Sequence, residues 1–385
     1  MALLGRDEDE LTALGGLSTA REIAQQPAML RKTYAALLAD KDALDRFLHP
    51  LLKHPAMRAI LAGAGTSAFI GECLAPWLAA RLPCRVEAIA STDLVSAPSL
   101  YFERAAPTLL VSFARSGNSP ESVAAVELAD QFVADIHHLA VTCNADGSLA
   151  RKIATTRNGM TILLPEETHD RGFAMTSSFS GMMVAALAAL TGIDGMAGRV
   201  DRIARAVEAV IAAQTSPMQV LAAKKHARVV YLGSHIFKGL AREAALKLVE
   251  LTDGGVIAAY DSPMGFRHGP KTVVNGETLV VIFVSNDAYT RRYDLDLLEE
   301  IRRDAKHGGL VALSARDEGV AGVERILIPG MTDAEDVDLL FPFIVAPQLF
   351  AFEASLARGL SPDNPNTSGT VSRVVQGVRI HAAKP

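Results

Sequence analysis

Thr108 to Ala129 reads TLLVSFARSGNSPESVAAVELA. An apolar run, TLLVSFA, has the pattern of a buried strand, and PESVAAVELA has that of a helix. Between them lies a tight polar turn, RSGNS. In an open parallel sheet, ligands bind beyond the carboxyl ends of the strands. Helix N-termini there offer unpaired N–H groups and a partial positive charge, and small residues let an anion come close to the backbone. RSGNS therefore reads as a place to hold a phosphate. Ser116 and Ser119 would be hydroxyl donors, Gly117 would permit close approach, and Asn118 completes the turn. Arg115 would either add charge or face solvent. A second turn of this kind, GAGTS, spans Gly63 to Ser67, with Thr66 and Ser67 as donors and Gly65 as a further candidate for substrate contact.

Two alternatives compete. Ser, Thr and Asn are common helix N-caps, so either turn alone could be only a cap. Two such turns in one half, both oversupplied with hydroxyls, favour the phosphate. GAGTSA also fits G-x-G-x-x-G/A, with Glu87 roughly twenty residues on, which would be a dinucleotide fingerprint. Glu87 falls inside an apparent strand, CRVEAIA, rather than at its end.

Working outward, short apolar strands alternate with longer helical stretches from about residue 56. RAILAG precedes TSAFIGECLAPWLAARL, and HHLAVTC and MTILLP follow the central stretch. This is the rhythm of a parallel sheet with helices on both faces. A long helical stretch runs from about Thr176 to Gln214, and the rhythm then restarts with ARVVYLGSHIFKGLAREAALKLVEL. MRAILAGAGTSAFIGECLAPWL resembles that segment, and PTLLVSFARSGNS resembles ETLVVIFVSNDAY. We read an internal duplication in which the second copy has lost the serine-rich turn. The expected division is an N-terminal helical arm over 1–55, a first α/β domain over 56–214 and a second over 215–385.

The chain has 385 residues, 49% apolar and 21% charged, with a net charge of −5. Two domains are the natural expectation at roughly 100–200 residues each. Without a basic block, nucleic acid is not expected as a partner. Cys73, Cys84 and Cys143 form no CxxC pair and no cluster with histidine, so neither a disulfide framework nor a metal site is expected. No run of about 18 apolar residues stands out, so no membrane is expected either.

The second half carries groups suited to acid–base work. GLAREAALKLVELTDGG reads as a helix in which Glu243, Lys247 and Glu250 fall at i, i+4 and i+7, one polar stripe. A solvated face with a salt bridge would give the same pattern. YDSPMGFRHGPKTVV follows, a loop with Arg267, His268 and Lys271 among glycines and prolines. Histidine there is either an exposed, idle residue or a proton shuttle. PEETHDRGFAMTSSFS places His169 and Asp170 before a hydroxyl-rich helix start at Thr176, which is either another wall of a site or simply a capped helix.

Taken together, GAGTSAFIG, APWLA, RSGNSPESVAAVELA, ETHDRGFAMTSS, YDSPMGFRHGPK, YDLDLL and SGTVSRVVQGV resemble the sugar isomerase (SIS) superfamily. They are most similar to the bacterial tagatose-6-phosphate ketose/aldose isomerase family, also called galactosamine-6-phosphate deaminase. The resemblance runs from about residue 60 to 381. It implies two doubly wound parallel-sheet SIS domains, a homodimer and a phosphorylated amino sugar as substrate, with no metal or organic cofactor; the cysteine count suits a reducing cytoplasm. Ser67, Ser116 and Ser119 match positions that hold the sugar phosphate. Glu250 matches the carboxylate that moves a proton between C1 and C2, and Lys247 a lysine beside it. His268 matches the histidine that opens the sugar ring, contributed across the dimer interface in that superfamily. Gly65, Arg115, His169 and Thr176 are further candidates for substrate contact.

Departures from the related glucosamine-6-phosphate synthase pattern are visible. Ala114 and Met175 stand where that enzyme has serines, and the tail DNPNTSGTVSR lacks its lysine, with Thr370 nearest. No glutaminase domain precedes the sugar domains, which fits deamination or isomerisation better than synthesis. The implied reaction converts galactosamine 6-phosphate to tagatose 6-phosphate and ammonia through an enolamine, its last step hydrolytic. An isomerase of an unaminated hexose 6-phosphate, a deglycase of fructosamine phosphates and a sugar-phosphate-binding regulatory module are the alternatives. A regulatory module would lack the Glu250 and His268 pair and would carry an effector segment.

Overall fold

The computed structural model describes residues 3–375 and 377–384. The expected alternation is realised as two five-stranded parallel sheets. The first is built from β1 (Arg58–Ala62), β2 (Arg85–Ala88), β3 (Thr108–Ala114), β4 (Ile136–Thr142) and β5 (Gly159–Leu163), in the order β2-β1-β3-β4-β5. The second is built from β6 (Arg228–Gly233), β7 (Ile257–Asp261), β8 (Thr278–Phe283), β9 (Gly309–Ser314) and β10 (Glu324–Leu327), in the order β10-β9-β8-β6-β7. Counted from its own first strand, the second sheet repeats the order of the first. The duplication read from the sequence is thus a duplication of topology. In each sheet the winding reverses beside the first strand, between β1 and β3 and between β6 and β8, and that reversal opens a crevice at the carboxyl edge.

Every residue of β3 and of β8 is buried, whereas the edge strands β2, β7 and β10 are partly exposed. A parallel sheet covered on both faces needs apolar residues on both, which is why these central strands read as unbroken apolar runs. Ile60, Leu110, Val126 and Leu149 pack together in the first core, and Val230, Val280, Ile282 and Leu297 in the second. Each such fully buried side chain contributes about 1.5–3 kcal/mol.

The two copies also turn from strand to helix by the same device. A Cβ on Gly63, just after β1, would stand 2.6 Å from the backbone carbon of Ser67; one on Gly233 would stand 2.5 Å from the carbonyl oxygen of Phe237. Only a residue without a side chain lets the next helix lie this close over the strand end.

By compactness the chain forms two units. One holds the first sheet and comprises Ala28–Asp170, Ser177–Val200 and Ser368–Pro385; the other holds the second sheet and comprises Met1–Pro27, Arg171–Thr176 and Asp201–Thr367. The N-terminal arm is helical, as helices Glu8–Ala13, Leu17–Ala24, Gln26–Ala39 and Lys41–Leu52, but the two units share it. Long-range bonds explain why its first part belongs with the second sheet. The N–H groups of Ser18 and Thr19 donate to the Asp363 carboxylate at 2.9 and 2.7 Å, capping helix Leu17–Ala24. Arg6 forms a two-pronged pair with Glu353 at 2.6 and 2.7 Å. Residue 215, the expected boundary, lies inside helix Met196–Ala223.

One expectation needs correction. The long helical stretch is broken into helices Ser177–Thr191 and Met196–Ala223, because Gly192 and Gly195 take positive φ values of 107° and 79° between them. One helix, Asp336–Leu356, is long and apolar enough by average composition to cross a membrane, although Asp336, Asp338, Gln348 and Glu353 interrupt its apolar run. Its most apolar window is 94% buried within the protein, and it packs against helix Ile236–Leu251 as the core helix of the second-sheet unit.

Candidate active site

In the first-sheet unit, the two hydroxyl-rich turns leave adjacent strands. β1 and β3 pair directly, with Ala62 opposite Ser112, so GAGTS and RSGNS both sit at the reversal of strand order. Gly65 (φ 56°) caps helix Thr66–Ala79, and Thr66 and Ser67 form its first turn, 4% and 5% exposed. Ser119 caps helix Pro120–Phe132. Its hydroxyl pairs with that of Ser122 at 2.7 Å rather than with a helix N–H, so the simple cap bond is not made.

The RSGNS turn is braced from behind. Asn144 donates to the Ser116 carbonyl at 2.8 Å, and the Leu149 N–H donates to the Gly117 carbonyl at 2.8 Å. Gly117 has φ 65°, a conformation side chains rarely adopt. With these carbonyls engaged, the turn presents N–H groups as its donor edge. The Ser116 hydroxyl accepts from the Asn118 N–H at 3.2 Å, which leaves its own O–H to donate elsewhere. Asn118 has a different task. Its side-chain oxygen accepts from the Ser148 N–H at 3.0 Å and the Ser148 hydroxyl at 3.2 Å, tying two loops together.

Arg115 does not face solvent. It is 6% exposed, and its Nη2 donates to the carbonyl of Arg373 at 3.0 Å. Glu87 lies within β2 and pairs with Arg58 at 2.5 Å and Arg85 at 2.8 Å. A carboxylate held inside a strand by two arginines does not serve a ribose, and the dinucleotide alternative falls with it. His169 ends the 3-10 turn Glu166–Thr168. Asp170 caps helix Ser177–Thr191 by accepting from the Ser177 hydroxyl at 2.5 Å and from Ser178 N–H at 2.9 Å, so that hydroxyl-rich start is a capped helix. Thr176 is fully buried and falls in the second-sheet unit. The three cysteines are free and buried. Burial pushes the Cys143 thiol up to about 12, the opposite of what a nucleophile needs.

In the second-sheet unit, helix Ile236–Leu251 carries the acidic stripe. The solvated-face alternative does not hold, because the side chains of Glu243 and Lys247 are 0% and 1% exposed. Lys247 Nζ stands 3.5 Å from Glu243 Oε1 and 2.5 Å from Glu250 Oε2. Glu250 is the member of this trio that reaches the surface, 25% exposed. The ammonium fixes one oxygen of that carboxylate, and the other is not used by the bond. Lys247 thus bridges a fully buried acidic side chain and the one acidic side chain of the trio that can meet a substrate. Sequence spacing found the stripe but assigned Glu243 no part; its burial beneath Lys247 is what gives it one.

His268 stands on an exposed turn after helix Pro263–Phe266, with Gly269 at φ 122° beside it. Its imidazole makes no bond to Glu250 or Lys247 among the described residues. The neighbours of His268 anchor the loop: Arg267 donates to Glu300 at 2.8 Å, and Lys271 pairs with Glu300 and with Asp304 at 2.6 Å. Among the described residues, no group of three or more His, Cys, Asp or Glu side chains could hold a metal ion.

Known proteins resemble this chain over nearly its whole length. The SIS domain model matches residues 52–192. The chain is 47% identical over 371 residues to D-galactosamine-6-phosphate deaminase AgaS of Escherichia coli, covering 96% of this chain and 97% of the relative. It superposes on a solved structure from Clostridium novyi NT with a TM-score of 0.96 and 41% identity over 100% of both chains. It matches tagatose-6-phosphate ketose/aldose isomerase from Escherichia coli with a TM-score of 0.88 and 44% identity, over 95% of this chain and 97% of that one.

Proposed function

This chain belongs to the AgaS family of SIS-domain proteins, and from that premise we propose that it is an enzyme converting galactosamine 6-phosphate to tagatose 6-phosphate and ammonia. The observation that carries the reading is the buried Glu243–Lys247–Glu250 trio with Glu250 alone partly exposed. A carboxylate held in place by an ammonium and open on its other oxygen suits proton transfer between adjacent carbons. The serine turns of the first sheet hold the phosphate: Ser116, Ser119, Thr66 and Ser67 supply hydroxyls, and Gly117 and Gly65 supply close approach.

The steps then follow. His268 assists opening of the sugar ring. Glu250 removes the proton from C2 of the open-chain aldehyde, the electrons form the C1–C2 double bond, and O1 takes up a proton from solvent to give an enolamine. The same carboxylate returns the proton to C1, leaving an imine at C2. Water adds to that carbon and ammonia leaves, giving the ketose. Lys247 positions Glu250 throughout. The exposed, unbonded imidazole of His268 supports its donation to the site of a second copy, hence a homodimer. Free, buried cysteines suit the reducing cytoplasm.

Ammonia release from galactosamine 6-phosphate tests the reading, with glucosamine 6-phosphate and tagatose 6-phosphate as comparison substrates. Glu250→Gln is expected to lower kcat by about 10²–10⁴-fold while phosphate binding persists. Interconversion of hexose phosphates without ammonia would leave the site and remove the deaminase claim. Binding without any turnover would make the chain a sugar-phosphate sensor.

A further inference from the structure

The second sheet has its own strand-order reversal, between β6 and β8, and the same kinds of donors converge there. The Ser234 hydroxyl donates to Asp294 Oδ1 at 2.5 Å, and the Ser285 N–H to Asp294 Oδ2 at 2.9 Å. The Ser285 hydroxyl donates to Asp336 Oδ2 at 2.5 Å, and the Asn286 N–H to Asp336 Oδ1 at 2.7 Å. Two backbone N–H groups and two hydroxyls at a switch point are what an open α/β sheet offers an anion. Here both acceptors are carboxylates of the same chain, Asp294 fully buried and Asp336 8% exposed.

Positional equivalence sharpens the point. Thr108 and Thr278 pair with Arg58 and Arg228 at the same register of their sheets. Counting onward from them, Ser285 and Asn286 occupy the places of Arg115 and Ser116. Asp294 is the fifth residue of helix Thr290–Asp304, the place held by Ala124 in helix Pro120–Phe132. Ile236 and Phe237, both fully buried, replace the hydroxyl pair Thr66 and Ser67. Behind the cradle, Arg291 donates to the Ser285 carbonyl and the Ser314 hydroxyl, each at 3.1 Å, a buried cation facing the acidic pair. His235 Nε2 lies 3.9 Å from Asp336 Oδ2 at the exposed rim.

We propose that this second switch point is an anion cradle filled by the chain's own Asp294 and Asp336, so that each chain binds a single phosphate group. The two side chains already accept from the donors that a phosphate would need, so none of these donors is left for a second anion. Asp336 is also the first residue of core helix Asp336–Leu356, so the plug fastens that helix to the sheet. The proposal rests on the preceding functional reading only for where the one phosphate binds.

Equilibrium dialysis of the full chain with labelled inorganic phosphate tests it. Wild type is expected to saturate at one phosphate per chain, its affinity falling about tenfold or more in Ser116→Ala/Ser119→Ala and holding within about twofold in Ser285→Ala. Asp336→Ala frees the Ser285 hydroxyl and the Asn286 N–H and is expected to take up a second phosphate. Two phosphates on wild type, an affinity that follows Ser285, or a folded Asp336→Ala that still binds one would overturn the proposal. If Asp336→Ala does not fold, the wild-type stoichiometry and Ser285→Ala decide the matter. A wild type that binds none defeats the assignment of the first-sheet turns, while Asp336→Ala still decides this one.

Discussion

The two switch points are the same piece of backbone put to different uses. At the first, the chain places Gly65, Thr66 and Ser67 after one strand and Ser116 to Ser119 after its neighbour, with Ala124 behind. At the second, the matching places hold His235, Ile236 and Phe237, then Ser285 and Asn286, with Asp294 behind. The strand order and the close helix packing at Gly63 and Gly233 are kept. The difference teaches that this fold does not itself specify a ligand: the donors arise from the topology, and a few side chains decide whether they meet a substrate or a carboxylate of the chain.

The largest effect that could break this comparison is on binding. Ser116→Ala/Ser119→Ala is expected to raise KM for the sugar phosphate by about 10²-fold, on the order of 3 kcal/mol from two hydrogen bonds to a charged group, whereas Ser285→Ala should leave KM unmoved and lower the melting temperature. Equal effects of both on KM would erase the distinction. Next come the positions the copies share. Gly63→Ala and Gly233→Ala should each cost about 1–3 kcal/mol in denaturant unfolding, because each new Cβ falls within 2.6 Å of helix backbone.

Smaller still is a pH signature confined to the second copy. Burial pushes the Asp294 carboxyl up to about 7, against the opposing hydrogen bonds from Ser234 and Ser285. A carboxyl with a folded-state value above its unfolded one contributes stability that is fully present below the unfolded value and lost as pH rises through the folded one. Between the ordinary carboxylate range and about 7, Asp294 should therefore make stability fall with rising pH, by at most about 1.4 kcal/mol per pH unit. Asp294→Asn should flatten that slope in melting curves taken from pH 5 to pH 8. An unchanged slope would show that the buried acid is not the source. The smallest effect is at the paired cap positions. His235 sits at φ 35° where the first copy has Gly65 at φ 56°. His235→Gly should stabilise by about 0.5–1 kcal/mol, and Gly65→Ala should destabilise by a similar amount, both read as shifts in denaturant midpoint.

Much of this was legible in the sequence, for identifiable reasons. TLLVSFA and TLVVIF announce central strands because a parallel sheet is apolar on both faces. The turns at Gly63–Ser67 and Arg115–Ser119 are local and carry their meaning in a few residues. What depends on distant partners did not show. The stripe at Glu243, Lys247 and Glu250 is visible at helical spacing, but spacing says only that three side chains share a face, not that two of them are covered. Arg115 could not be placed, because its partner is a carbonyl 258 residues away. The break at Gly192 and Gly195 was hidden by apolar residues on either side, and the sharing of the arm between the units is fixed by side chains at Glu353 and Asp363.

The arm is translated long before the residues that tie it down. Helix Leu17–Ala24 is capped by the carboxylate of Asp363, 345 residues beyond Ser18, so it is made long before its cap. In between, the nascent chain holds a short helix without its N-terminal cap, too short to persist alone. The first sheet's strands are all made long before that wait ends. The segment is thus made before the residues that hold it, and its docking waits for them.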